Sequence, residues 1–179
     1  IGVLNFASHG DLSRVLSYDQ LLEQHSHHWL CREIRLYSQR VLKRLDVTSR
    51  SMVSVIEPGS CFAGTLAEIL FACDRSYMLS GMPEGTNIPP ASILLASVNF
   101  GAYPMSNGLT RLETRFLGQP ELLQEAEIRI DAPLLGDECE SMGLVTFAFD
   151  EIDWDDEIRI FLEERAAFSP DALIGMEAN

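Results

Sequence analysis

The stretch from Met52 to Leu79 decides how this chain folds. It reads MVSVIE (residues 52–57), PGSCFAGT (58–65), LAEILFACD (66–74) and RSYML (75–79). The first and last segments are rich in strand-forming residues, the second is a turn rich in Pro, Gly and Ser, and the third is a run of helix formers. The pattern predicts that Met52–Glu57 and Arg75–Leu79 are parallel neighbours in one sheet, with Gly64–Cys73 as the helix between them.

The beginning of this predicted helix is a candidate anion-binding position. The first N–H groups of a helix have no partner within it, and they lie at the positive end of the helix dipole. The amides of Gly64, Thr65 and Leu66 could therefore donate hydrogen bonds to an oxyanion or a phosphate.

The turn and helix resemble those of the crotonase (enoyl-CoA hydratase/isomerase) superfamily, in which a Gly-rich turn opens a helix of the type G-G-G-x-E-L-A-x-x-C-D. The corresponding run here is GTLAEILFACD, residues 64–74. Glu68 and the ending Ala72–Asp74 match the pattern, whereas Thr65 and Leu66 replace two of its three glycines. The resemblance implies an α/β protein with a crotonase-like ββα spiral, also called the ClpP/crotonase fold, present in part and followed by C-terminal helices.

Further blocks, at residues 56–65, 74–79, 98–101 and 153–179, resemble the C-terminal part of one ring-cleaving lyase of this superfamily. The chain also begins without Met and ends just past a helical pattern, so we expect it to be part of a longer protein. On this basis residues 1–150 are a crotonase-like domain that lacks its N-terminal strands. Residues 151–179 are the start of a C-terminal helical region.

Crotonase chemistry combines an oxyanion hole of two backbone amides, which polarises a thioester carbonyl, with glutamates that move protons. The resemblance therefore implies Glu68 as the catalytic residue and Gly64 and Thr65 as oxyanion-hole residues, with no metal and no cofactor, since the CoA thioester is the substrate. The second glutamate of the family is missing, because Ser97 stands at its position in the run Ala96–Gly101. A serine without a His partner is a poor base at neutral pH.

Two functional hypotheses remain open at this stage. In the first, the chain is a non-catalytic crotonase-like module that packs against an N-terminal crotonase module of the same protein; in the second, it is a self-contained acyl-CoA hydratase or isomerase that uses Glu68 alone. Ser97 favours the first, in which Glu68 is a buried structural carboxylate. The resemblance also implies an acyl-CoA substrate for the whole protein and a homo-oligomer.

Composition excludes some classes of partner. Residues 1–120 contain ten acidic and ten basic side chains, and residues 121–179 contain seventeen acidic and three basic ones, so the net charge of −14 arises entirely in the last third. Such a distribution argues against binding to nucleic acid or to an anionic membrane. Without a signal peptide or a long apolar run, we expect a single domain in the cytoplasm.

The sequence also contains clustered histidines, four cysteines and a set of basic residues, which could be either functional or structural. The cluster His25, His27 and His28 has no Cys or acidic partner at a zinc-binding spacing, so no metal site is predicted. The four cysteines are far apart, which indicates reduced thiols; Cys61 is a packed thiol or, less simply, a nucleophile at a turn. A basic set is either a solvated helix face that pairs with the acidic C-terminal section or a contact for CoA phosphates; it consists of Arg32, Arg35, Arg40, Lys43 and Arg44.

Spacing predicts the remaining helices and strands. Apolar residues between Tyr18 and Leu45 have helical periodicity with a break near Ser26. Further predictions are a strand at Ile1–Phe6, a helix from the N-cap Ser106 to Leu117, a helix from Pro120 to Ile130, a strand at Gly143–Phe147 and helices at Trp154–Phe168 and after Ser169. If the chain is part of a longer protein, the apolar face along Trp29–Leu45 and the sheet edge at Ile1–Phe6 should be exposed.

Overall fold

The computed structural model describes residues 2–82, 85 and 87–177. The elements, in chain order, are β1 (Val3–Ala7), α1 (Leu12–Gln24), α2 (Trp29–Leu45), β2 (Ser51–Ile56), α3 (Gly64–Phe71), β3 (Arg75–Leu79), β4 (Ile93–Leu94), a 3₁₀ helix (Ser97–Phe100), α4 (Arg111–Arg115), α5 (Pro120–Ile128), β5 (Pro133–Leu134), α6 (Gly136–Ser141), β6 (Phe147–Phe149), α7 (Trp154–Ala167) and α8 (Pro170–Glu177). No helix in the described part of the chain is both long enough and apolar enough to cross a membrane.

A four-stranded sheet organises the chain, in the order β1-β2-β3-β6, and its strands are all parallel. In the central pair, Val53 is in register with Arg75 and Ile56 with Met78. Helix α3 connects these two strands, so the βαβ unit predicted from the sequence is confirmed. The helix ends at Phe71, two residues before the predicted Cys73, because Ala72 is its C-cap. Strands β4 and β5 form a separate antiparallel pair.

The alternation of side chains along β2 and β3 divides the core into two layers. Ile56 and Met78 face the layer that contains Leu70 and Phe71 of α3. Val53, Val55, Tyr77 and Leu79 face the opposite layer, where Trp154 and Phe161 of α7 cover the sheet. The sheet is therefore buried on both faces, as is usual for parallel strands.

The long helical stretch is two helices, as its break near Ser26 predicts: α1 ends at Gln24 and α2 begins at Trp29. Helix α1 starts at Leu12, earlier than the periodicity indicates, because Asp11 is its N-cap and accepts a 2.8 Å hydrogen bond from the Ser13 amide. The predicted helices from Pro120 and over Trp154–Phe168 are confirmed as α5 and α7.

Two predicted elements are wrong in position. Ser106 is not an N-cap: Thr110 caps α4 instead, in a reciprocal arrangement in which Thr110 Oγ1 accepts from the Glu113 amide and Glu113 accepts from the Thr110 amide. The segment Gly143–Phe147 is mostly a turn rather than a strand, because Gly143 has a φ of +72° and β6 begins only at Phe147.

Candidate functional site

The N-terminus of α3 contains the residues that the sequence indicates as an anion-binding position. Gly64 has a φ of +43°, a conformation that favours glycine, and it turns the chain from β2 into the helix. The Thr65 amide is already engaged, because it donates a 2.8 Å hydrogen bond to Oδ2 of Asp19. The Leu66 amide donates to the Ala63 carbonyl at 2.8 Å. Of the predicted donors, Thr65 is thus the one that binds a carboxylate.

Asp19 reaches this position from α1. It lies three residues from both Leu16 and Leu22, on the side of the helix that packs against α3, and it is only 6% exposed. Its Oδ1 accepts a second hydrogen bond, from the Thr65 hydroxyl at 2.5 Å, and that hydroxyl lies 3.1 Å from the Tyr103 hydroxyl. Burial raises the pKa of Asp19, and the two hydrogen bonds from Thr65 oppose this increase.

A cavity of about 520 Å³ opens beside these groups. Its wall is formed by the loop after β1, by α1 and by the beginning of α3, and its residues include His9, Arg14, Tyr18, Asp19, Cys61, Thr65 and Tyr103. The volume is in the range of small-molecule sites. Burial also raises the pKa of Tyr103. The cavity therefore has a neutral phenol and a buried carboxyl at its polar end.

Glu68 lies deeper in the protein, one turn along α3, and is 1% exposed. Its Oε1 accepts a 2.7 Å hydrogen bond from the Asn99 side chain, and its Oε2 forms a 2.7 Å ion pair with Nη1 of Arg111. Burial raises the pKa of Glu68, while the hydrogen bonds from Asn99 and Arg111 lower it. Both carboxylate oxygens are thus bound to side chains of the core.

Arg111 joins two carboxylates. Its Nε and Nη2 atoms bind both oxygens of Asp46, at 2.9 and 2.7 Å, while Nη1 also donates to the Tyr103 carbonyl at 3.1 Å. The side chains of Arg111 and Asp46 are 2% and 4% exposed. Two acidic groups therefore share one guanidinium in a buried network whose donors are satisfied.

Ser97, at which the sequence resemblance places the second glutamate position, is exposed at the start of the 3₁₀ helix. Its hydroxyl donates a 3.3 Å hydrogen bond to Glu23, an exposed residue of α1. The structure therefore does not bring Glu68 and Ser97 together around a common substrate position. Asn99 of the same 3₁₀ helix contacts Glu68 instead.

The other candidate residues from the sequence are the possible metal ligands, the cysteines and the basic residues of α2. The described residues contain no group of three or more His, Cys, Asp or Glu side chains that could hold a metal ion. All four cysteines are free, and Cys61, Cys73 and Cys139 are buried. Burial raises the pKa of the Cys73 thiol to about 12, so it is protonated at neutral pH. None of the ion pairs in the described part of the chain links the basic residues of α2 to the acidic C-terminal third.

Sequence reasoning missed Asp19, Asp46 and Arg111. Asp19 did have a signal, because it interrupts the apolar side of α1 at a position where a solvated charge is not expected. The Thr110-x-x-Glu113 capping signature would have placed Arg111 in the first turn of α4. No local signal pairs Arg111 with Glu68, 43 residues away in the sequence.

Comparison with solved structures identifies the architecture. An enoyl-CoA hydratase from Bacillus halodurans superposes on 99% of this chain with a TM-score of 0.62 and 12% sequence identity, and 67% of that chain is covered. An enoyl-CoA hydratase from Geobacillus kaustophilus superposes on 98% with a TM-score of 0.61 and 14% identity, and 75% of it is covered. The chain has the crotonase fold. This confirms the fold that the Gly64–Asp74 motif predicts.

The sequence itself is similar to a more specific protein. The chain is 43% identical, over all of its 179 residues, to a benzoyl-CoA-dihydrodiol lyase from Aromatoleum evansii, and it spans 31% of that protein's length. No protein-family model matches the chain. The resemblance to the C-terminal part of one lyase is therefore confirmed along the whole chain, which spans about a third of that relative's length.

Proposed function

We propose that this chain is a non-catalytic crotonase-like module of a cytoplasmic benzoyl-CoA-dihydrodiol lyase. The whole protein would cleave the ring of 2,3-epoxybenzoyl-CoA, or of 2,3-dihydro-2,3-dihydroxybenzoyl-CoA, in the aerobic degradation of benzoate through CoA thioesters. The 43% identity to such a lyase supports the reaction class. The coverage of 31% of that relative supports a further module, which would lie N-terminal to this one and bind the acyl-CoA.

The burial of Glu68 carries the proposal. A general acid or base must come within hydrogen-bond reach of the group whose proton it moves. Glu68 is 1% exposed, and Asn99 and Arg111 occupy its two oxygens at 2.7 Å each. To reach a substrate it would have to break its bonds to Asn99 and Arg111, which would deprive the buried donor groups of both side chains of this acceptor. Its geometry fits a structural carboxylate.

Ser97 gives independent support. The two-carboxylate mechanism needs a second acid or base near the first, and Ser97 is exposed, with Glu23 as its hydrogen-bond partner. Its partner is thus an exposed carboxylate and not the histidine that commonly activates a serine hydroxyl. This chain therefore lacks a second proton-transfer group at the family's position.

A partner module also has a surface on which to pack. Leu30, Ile34, Tyr37 and Val41 follow one another at spacings of four, three and four residues along α2, and their exposed fractions are 46%, 41%, 64% and 42%. We refer to these four side chains as the α2 stripe. Such spacing places them on one side of the helix, as in helices that pack against another helix. We assign the α2 stripe to the contact with the N-terminal module, with a second copy of the whole protein as the other candidate.

The alternative is a self-contained hydratase or isomerase that uses Glu68. The cavity of about 520 Å³ at the start of α3 is the observation in its favour. However, the carboxyl groups at the wall of that cavity belong to Asp11 and Asp19, whereas Glu68 is buried and is not among its lining residues. The alternative therefore requires a rearrangement of the Glu68–Arg111 pair.

An assay of the purified chain tests the proposal. The chain is incubated with the epoxide and with the dihydrodiol of benzoyl-CoA, and the CoA products are separated by chromatography. We expect no turnover above the background. Turnover that the substitution Glu68→Gln abolishes, in a variant with an unchanged circular dichroism spectrum, would overturn the proposal in favour of the self-contained enzyme.

A further inference from the structure

The contact between Asp19 and Thr65 places a carboxylate of the chain itself at the N-terminus of an eight-residue helix. Asp19 accepts from the Thr65 amide at 2.8 Å and from the Thr65 hydroxyl at 2.5 Å. An external anion or oxyanion bound at this helix end would use the same amide. Only one of the two can occupy the position at a time.

We propose that Asp19 is the resident anion of the α3 N-terminus and that it closes this position to the carbonyl oxygen of an acyl-CoA thioester. This inference gives a structural reason for the non-catalytic role proposed above, and its functional meaning rests on that role. The cavity beside Asp19 remains, but its polar end presents a carboxylate where a thioester carbonyl would need a hydrogen-bond donor.

The charge of Asp19 is balanced by the helix rather than by a cation. The ion pairs within the described residues do not include Asp19. A buried carboxylate needs compensation for its lost hydration, and here Thr65 supplies two hydrogen bonds while the helix end supplies a positive partial charge. Asp19 therefore occupies the same position at the N-terminus of α3 as a bound anion would.

The glycine at position 64 leaves space for the Asp19 carboxylate. A Cβ atom at Gly64 would overlap with Oδ2 of Asp19 and come within 3.4 Å of Cδ2 of Leu16. The carboxylate thus occupies the space that a Cβ atom at Gly64 would need, so a ligand atom cannot take this position while Asp19 is there. A thioester could reach the Thr65 amide only after Asp19 moved away.

Chemical rescue in the full-length protein tests this inference. The substitution Asp19→Ala removes the carboxylate, and sodium acetate at neutral pH supplies one of the same chemistry. Hydrogen exchange of the Thr65 amide is followed by mass spectrometry with residue-level fragmentation, at an ionic strength held constant with sodium chloride. In D19A the Thr65 amide should exchange about tenfold faster than in the wild type, the ratio expected for a lost charge-assisted hydrogen bond. Added acetate should slow it again, with no effect on the wild type.

Two variants act as controls. Glu23→Ala removes an exposed carboxylate one turn further along α1 and should leave Thr65 exchange unchanged with or without acetate. Asp19→Asn retains an oxygen that can accept from the Thr65 amide, so its exchange should stay slow and should not respond to acetate. If D19A folds only when acetate is present, the inference is supported.

Exchange of Thr65 at the wild-type rate in D19A, or an acetate effect no larger than that of chloride, would overturn the inference. So would a D19A protein that stays unfolded at every acetate concentration. The experiment measures whether a carboxylate occupies the α3 N-terminus, and it does not measure turnover. A negative result would therefore leave the proposed non-catalytic role intact, and a positive result would stand even if the chain proved to be catalytic.

Discussion

The carboxylate of Glu68 and the guanidinium of Arg111 form a 2.7 Å ion pair in which the side chains are 1% and 2% exposed. The pair is not isolated, because Asp46 occupies the other side of the same guanidinium at 2.7 Å. It links α3 to α4 and to the end of α2. Glu68 is therefore part of a buried contact between three helices.

Loss of Arg111 should be severe. The substitution Arg111→Met keeps the apolar stem but leaves Glu68 and Asp46 buried without a cation, so we expect the free energy of unfolding to fall by about 3–5 kcal/mol. Urea denaturation followed by circular dichroism measures the change. Arg129→Met is the matched control, because the side chains of the Arg129–Glu138 pair are 44% and 31% exposed and loss of the pair should cost about 1 kcal/mol or less. Equal losses in the two variants would contradict the network's role.

The tight contact at Gly64 predicts a coupled pair of substitutions. Gly64→Ala introduces a Cβ atom that overlaps with Asp19. Gly64 also has a φ of +43°, and this conformation alone costs a residue with a Cβ atom roughly 1–2 kcal/mol, the backbone term. The substitution should therefore destabilise the protein by more than the backbone term. In an Asp19→Ala background the overlap is gone, so Gly64→Ala adds only the cost of the unfavourable backbone conformation to the loss caused by Asp19→Ala itself. A double-mutant cycle should therefore give a coupling of about 1 kcal/mol or more, whereas strictly additive losses would show that the two residues do not meet.

Asp19 should also give stability a characteristic dependence on pH. Burial raises the pKa of Asp19 in the folded protein above its ordinary value of 3.8, which the unfolded chain retains. At a pH between 3.8 and the raised pKa, the folded protein therefore binds more protons than the unfolded chain. The contribution of Asp19 is therefore fully present below pH 3.8 and is lost as the pH rises through the raised pKa. Relative to Asp19→Asn, the wild type should lose stability with increasing pH across this interval in urea denaturation. If the wild type instead gained stability relative to Asp19→Asn as the pH rose, the hydrogen bonds from Thr65 would lower the pKa by more than burial raises it.

The α2 stripe should cause self-association of the isolated chain, because an exposed apolar helix face is unfavourable in water. Sedimentation velocity should show species larger than 20.0 kDa that dissociate in the variant Ile34→Lys/Tyr37→Lys. Ile152→Lys is a suitable control, since Ile152 is 86% exposed but lies outside the α2 stripe. A wild-type chain that sediments as a 20.0 kDa monomer would remove the support that the α2 stripe gives to a partner module.

The sequence predicts the central part of this fold because the information there is local. The strand patterns of β2 and β3 and the turn at Gly64 lie within 29 consecutive residues, and their hydrophobic periodicity is sufficient to specify a βαβ unit. The position of α4 was missed for a local reason too: Ser106 and Thr110 are both good N-caps, and the reciprocal bond from Glu113 decides between them.

The site could be predicted only in part because its contacts are non-local. Asp19 and Thr65 are 46 residues apart, and Arg111 and Asp46 are 65 residues apart. Periodicity indicates which face of a helix is buried, but it does not indicate which polar residue of one buried face meets which residue of another. The motif therefore identified Glu68 and Thr65 as special positions, whereas their partners depended on how α1 and α4 pack against α3.

The turnover of the full-length protein with Glu68→Gln tests the central claim most directly. Glutamine keeps the size of the side chain and an acceptor for Asn99 or Arg111, but it cannot move a proton. In steady-state assays corrected for the fraction of folded protein, we predict that kcat and KM for the CoA substrate stay within about threefold of the wild type, far less than the 10²–10⁴-fold contribution of a general acid or base. A loss of kcat of about 10²-fold or more, with folding and KM unchanged, would contradict the account and identify Glu68 as catalytic.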